Sequence, residues 1–181
     1  MLSTLRFMLA LAVSLLLMLA FRALAFTIYI VDGEGLKPEF ETGDHVMVNR
    51  WSYGLRTGSQ RGLFHYGRIL RRPVAKGDIV AYEDPTDPTR KRVLLGRCCA
   101  LPGDTVDYNG ITELVPSVAN CAGADYYWIG ALGQNNPTDS RQLGFISEHL
   151  IIGRAFVILY NHAPSAPIWS GFRGDRILIH R

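Results

Sequence analysis

No serine lies between Ser14 and Ser52 of this 181-residue chain, and that gap holds its most turn-like stretch, IVDGEGLKPEFETGDHVMVN over residues 30–49. Two short apolar runs flank a Gly-rich acidic turn there, as at the rim of an enzyme site. The turn itself has no Ser, Cys or His to serve as a nucleophile. Cysteine is scarce as well. Cys98, Cys99 and Cys121 are odd in number, which excludes a fully paired disulfide framework, and their spacing fits no metal site. One bridge from Cys121 to Cys98 or Cys99 stays open, and strand alternation lets only one of those neighbours take part. Buried free thiols are the other reading. The five histidines, His45, His65, His149, His162 and His180, are scattered without ligand spacing, so no metal and no other cofactor is expected. The chain also has no internal repeat and no low-complexity tract.

Acid is missing from one long segment. Between Arg50 and Lys76 stand seven Lys or Arg residues and no Asp or Glu, with Trp51, Tyr53, Phe64 and Tyr66 among them. A solvated basic loop and contact with an anionic bilayer both fit, since cations seek acidic head groups and aromatics settle at the interface. Nucleic acid is not an expected partner, because no binding motif accompanies the charges and the net charge is only +3.

What is present is a 15-residue uncharged run, FMLALAVSLLLMLAF over 7–21, followed past Arg22 by ALAFTIYIV. Fifteen residues are short of the roughly 20 that a bilayer needs, but Arg22 can snorkel to the interface and lengthen the span. Residues 1–25 are therefore read as an uncleaved N-terminal anchor. A cleaved signal peptide is the competitor, since ALA at 23–25 mimics a cleavage site. Beyond the anchor, short β-like runs follow at 26–31, 45–49, 78–83, 91–101, 105–109, 126–130, 150–161 and 176–180, punctuated by Gly-Asp, Pro-Gly-Asp and Asn-Gly. This predicts a mainly β, antiparallel domain over 26–181, with 110–135 a loop-rich insertion.

Ordered boxes give the domain a family likeness: VDGEGLKP (31–38), GDHVMVNRWSYGLR (43–56), KGDIVAY (76–82), ALPGD (100–104), TDSRQLGFI (138–146), IIGRAFVILY (151–160) and DRIL (175–178). From Arg22 onward the chain resembles the bacterial type I signal peptidases, membrane-anchored serine endopeptidases with a Ser-Lys dyad. The resemblance implies a signal-peptidase-like β-domain behind one transmembrane helix. It also implies a place on the outer face of the cytoplasmic membrane, and Asp104, Asp139 and Arg141 as structural residues.

The departures from the family pattern bear on function. Gly35 stands where the family has its nucleophilic Ser, and Leu36 replaces the Met that follows. Gly33 takes the place of the Ser that donates to the oxyanion. Counting six back from Pro102, the place of the general-base Lys falls on Gly96. Pro137 replaces a Ser thought to position that Lys, and the family's Gly-Asp-Asn-Arg run has become ALGQ (131–134). No catalytic residue is therefore expected at these vestigial positions. Two substitutes remain conceivable. Lys91 lies in a Lys-Arg-Val box but five residues too early, about 16 Å along a strand and on the opposite face. Cys98 shares the face of Gly96 but has no evident partner to ionise it.

The resemblance thus leads to a catalytically inactive, membrane-anchored homologue. It would hold an extended peptide or exported protein segment in the former substrate groove, made of Gly33, Glu34, Gly35, Leu36, Gly96 and Cys98. The lipid bilayer and an active signal peptidase are its other expected partners. The alternative is an active signal peptidase that removes signal peptides with a rearranged dyad.

Overall fold

A computed structural model describes residues 2–32, 35–57, 66–89, 91–120, 122–133, 138–162, 167 and 170. The chain opens with helix α1 (Leu2–Ala25), 24 residues and so about 36 Å long. Its side chains over residues 4–19 are exposed, including Leu5 at 71% and Leu16 at 68%, while Ala25 at its end is buried. Among the described residues no helix is long and apolar enough to cross a membrane. The span expected over residues 1–25 therefore remains a proposal.

Helix α1 runs straight into β1 (Phe26–Ile30), the first of eleven strands among the described residues. The next are β2 (Asp44–Asn49), β3 (Leu55–Thr57), β4 (Gly67–Ile69), β5 (Ile79–Glu83) and β6 (Val93–Ala100). Strands β7 (Thr105–Tyr108), β8 (Ile111–Leu114), β9 (Tyr126–Gly130), β10 (Ile146–Ser147) and β11 (Ile151–Asn161) follow, with a short helix α2 (Ser140–Leu143) before β10. Seven strands form one antiparallel sheet in the order β1-β2-β11-β5-β6-β9-β10, and β3-β4 and β7-β8 form two hairpins. The domain is mainly β and antiparallel.

Strand β5 explains why the sheet has two cores. IVAY is buried at every position, so alternate residues serve opposite faces. Ile79 and Ala81 join a first core with Phe40, Val46, Val48 and Leu95. Val80 and Tyr82 join a second core with Cys98, Tyr127, Ile129 and Ile151. An alternating polar-out pattern would not read this way; a sheet covered on both faces does.

Three turns share one chemistry. At 41–44, 75–78 and 101–104 the fourth residue is Asp, and its N–H donates to the carbonyl of the first. In return its carboxylate accepts the first residue's N–H: Asp44 from Glu41 at 2.7 Å, Asp78 from Ala75 at 3.2 Å and Asp104 from Leu101 at 3.0 Å. The third residue is Gly43, Gly77 or Gly103, each with φ close to +90°, the conformation that a type II turn demands at that place. Asp44 is buried and also accepts from Asn161 Nδ2 at 2.6 Å, which ties the first turn to β11.

Within 110–135, read as a loop-rich insertion, the β-like run at 126–130 forms β9, and β8 is added because Asn109 and Gly110 both have positive φ and close a two-residue hairpin. The basic stretch offers less free charge than its composition suggests. Arg56 pairs with Glu83 at 2.6 Å, and Arg71 pairs with Asp125 and Glu148. Arg68 donates to the carbonyls of Glu148 and Ile151. Three of the seven cations thus hold the β3-β4 region to the domain. Residues 58–65 of that stretch, the run at 176–180, and Cys121 lie outside the described residues, while Cys98 and Cys99 are free thiols, buried and exposed respectively.

Candidate functional site

A cleft of 490 Å³ opens between the end of β1 and the start of β6. Tyr29, Ile30, Val31 and Asp32 line one side and Arg92, Val93, Leu94 and Leu95 the other, with Gly35, Leu36 and Thr138 completing it. Both sides present strand backbone. β1 is the outermost strand of the sheet, and β9 pairs with β6 only from Arg97 onward. Among the described residues Val93–Leu95 therefore have a strand on the β5 side alone.

The turn that carries Gly35 is held from two directions. Phe40 is fully buried in the first core, and its N–H donates to Leu36 O at 3.1 Å. The peptide bond between Lys37 and Pro38 is cis. From the other direction the loop after β9 presses on the turn at Gly133. A Cβ there would lie 2.2 Å from Gly35 O and 2.6 Å from Lys37 O, so only glycine permits the approach. Thr138 belongs to the next segment, fixed by Asp139. That buried carboxylate caps α2 through Arg141 N at 2.9 Å, accepts from Ala131 N at 3.3 Å and pairs with Arg141 Nε at 2.7 Å. Ser140 Oγ accepts from Ile129 N at 2.8 Å.

The expected groove residues divide. Gly35 and Leu36 line the cleft, and Leu36 also packs on the first core. Gly96 and Cys98 do not, and their place in the groove is corrected. Gly96 pairs with Val80 and Cys98 with Ile129, so both face the second core, whereas Val93 and Leu95 face the first core beside Leu36. Counting from Pro102 gave a position along the strand but not the face that position presents. A Cβ on Gly96 would lie 2.4 Å from Ile129 Cγ2 and 3.0 Å from Gly130 O. Gly33, Glu34 and Pro137 lie outside the described residues.

Cys98 is 1% exposed, and its Sγ lies 3.7 Å from Ala100 O. Burial, with smaller contributions from Cys99, Asp78 and Asp104, pushes its thiol up to about 12, so it is protonated at neutral pH. Lys91 is exposed on the loop before β6, its N–H bound to Asp87 Oδ2 at 3.0 Å. The two conceivable substitutes therefore occupy a core and a surface loop. Among the described residues the cleft lining contains no Ser, Cys, His or Lys, and no three His, Cys, Asp or Glu side chains converge as a metal site would need.

Tyr29, Arg92 and Thr138 line the cleft but were not singled out from sequence. Tyr29 is a single polar residue in an apolar run, and Thr138 opens the TDSRQLGFI box without a role of its own. Arg92 was overshadowed by its neighbour Lys91, although it is the arginine that reaches the cleft.

Comparison with known proteins agrees with this architecture. A family model described as "Signal peptidase, peptidase S26" matches residues 4–117. Signal peptidase I of Pseudomonas fluorescens is 28% identical over 101 residues, 55% of this chain and 33% of the relative. That of Pseudomonas aeruginosa is 28% identical over 94 residues, 52% and 31% of the two chains. That of Buchnera aphidicola is 27% identical over 90 residues, 50% and 27%. The chain thus spans about a third of the length of these curated relatives. With the family model matching well over half its residues, this chain belongs to the signal peptidase, peptidase S26, family.

Proposed function

We propose that the chain is a membrane-anchored, non-cleaving member of this family that holds an extended peptide segment in the Gly35 cleft. The observation that carries the reading is the composition of the cleft: strand backbone on two sides, aliphatic side chains between, and no Ser, Cys, His or Lys among its described lining residues. Strand addition needs only backbone partners and side-chain pockets, and neither requires a hydroxyl at residue 35. The 490 Å³ volume falls within the range of about 300–1,000 Å³ typical of ligand clefts.

In this reading α1 anchors the protein, the β-domain lies on the outer face of the cytoplasmic membrane, and the ligand is a segment of an exported protein or of an active signal peptidase. A working peptidase would need a nucleophile and a base within about 3 Å of each other. The burial of Cys98 and the surface position of Lys91 favour binding over that alternative.

Binding by the full chain in detergent micelles to a peptide of alternating valine and serine, labelled with an uncharged BODIPY dye, tests the reading. Anisotropy is expected to report an affinity near micromolar. Gly35→Trp, which fills the cleft from a turn rather than from a core, is expected to abolish the signal with an unchanged melting temperature. Equal binding by parent and Gly35→Trp would move the ligand site elsewhere.

A further inference from the structure

Among the described residues the cleft carries one cation, Arg92, on a firmly held backbone at its rim, and we propose that it makes the cleft selective for peptides bearing a carboxylate, either a C-terminal carboxylate or an acidic side chain. This rests on the peptide-binding reading and adds the chemical class of the ligand.

The loop before β6 is built to hold Arg92 still. Its sequence, DPTDPT over 84–89, makes two successive Asp turns. Asp84 Oδ1 accepts from Thr86 N at 2.8 Å and Thr86 Oγ1 at 2.6 Å. Asp87 Oδ1 accepts from Thr89 N at 2.8 Å and Thr89 Oγ1 at 2.7 Å. Both aspartates then grip the backbone of Arg92. Its N–H donates to Asp87 Oδ2 at 3.0 Å, and its carbonyl accepts from Asp84 N at 3.0 Å. The Thr89 hydroxyl and the N–H groups of Arg92, Thr89 and Lys91 hold the Asp87 carboxyl down at about 2, so it stays ionised near neutral pH.

The guanidinium is less committed than the backbone. One corner, Nη1, lies 3.5 Å from Asp84 Oδ2, while the side chain is 63% exposed. A guanidinium has five N–H donors in a planar fork suited to a carboxylate. The only other charged residue of the described lining is Asp32, on the opposite, β1 side. A bound peptide thus meets aliphatic side chains along the cleft, a cation at the β6 rim and an anion at the β1 rim. The bland reading is that Arg92 serves only as counter-charge to Asp84. That role predicts a change in stability on mutation but no preference among ligands.

The test uses the full chain in micelles and three labelled forms of the valine–serine peptide: a C-terminal acid, a C-terminal amide, and the amide with one internal glutamate. At low ionic strength at least one charged form is expected to bind about three- to tenfold more tightly than the neutral amide. The margin should shrink at 0.5 M salt, and the form that shows it identifies the source of the carboxylate. Arg92→Gln is expected to bring the ratio to about one, and Arg92→Lys, which keeps the charge beside Asp84 but loses the fork, to leave an intermediate ratio. Asp32→Asn should raise affinity for the charged forms alone. Equal binding of all three forms by the parent, or a preference that survives in Arg92→Gln, overturns the assignment while leaving the peptide-binding reading intact. Failure of every form to bind removes both.

Discussion

Gly96→Lys is expected to destabilise the domain by about 3–5 kcal/mol, because residue 96 faces a filled core and not an open site. The first carbon of any side chain at 96 would lie 2.4 Å from Ile129 Cγ2, well inside contact distance. Ile129 is fully buried, pairs with Cys98 across the β6–β9 ladder, and is β-branched, so it has few ways to move aside. Alanine alone should therefore lower stability by about 1–3 kcal/mol through overpacking. Lysine adds four more heavy atoms, an amine among them, to the same filled space beside Tyr82. Urea unfolding of the full chain in micelles measures both variants. A partial rescue checks the cause: Gly96→Ala and Ile129→Ala together should destabilise by less than the sum of the two, by about 1 kcal/mol or more. A Gly96→Lys protein as stable as the parent would mean that residue 96 points at the cleft after all.

Gly133→Ala is expected to weaken peptide binding by at least about tenfold, or roughly 1.4 kcal/mol, without touching the peptide. The added methyl would meet Gly35 O at 2.2 Å, Lys37 O at 2.6 Å and Leu36 C at 2.9 Å. All three are backbone atoms, so no rotamer change relieves the clash. The turn at 35–37 has to shift, and it forms part of the cleft wall. Anisotropy with the neutral peptide reads the loss. Gly123→Ala is the matched control, since a methyl at 123 meets nothing within 4 Å. Unchanged affinity in Gly133→Ala would show that the wall of the cleft does not depend on this approach.

Much of the scaffold was legible because its signals are local. The Gly-Asp pairs at 43–44, 77–78 and 103–104 each specify a complete turn: glycine supplies the positive φ and aspartate supplies the acceptor three residues back. The runs at 45–49, 78–83 and 150–161 became strands because they are enriched in β-branched and aromatic residues and such turns bound them. Short elements escaped. β3, β4 and β10 have two or three residues each, too few for a period of two to register.

The site was harder for a different reason. Gly35 lay in a recognisable box, but which face Gly96 presents depends on the pairing of β6 with β5 and β9, a relation between segments that one strand does not encode. Gly133 looked like a residue of a degraded motif; its contact with the Gly35 turn joins positions almost a hundred residues apart. The partners of the basic run were hidden for the same cause. Arg71 finds its acids at positions 125 and 148 and Arg56 at 83, all invisible in a count of local charge.

Intact mass decides whether the cleft holds peptide without cutting it. The full chain in lipid or detergent is incubated with a preprotein that has a small-residue cleavage site, and the preprotein is then weighed intact by mass spectrometry. A single uncut mass is expected after prolonged incubation, from the parent chain and from Gly35→Ser alike. A shortened product formed by the parent chain, and lost on Lys91→Ala or Cys98→Ala, would contradict it and make the protein a peptidase with rearranged chemistry.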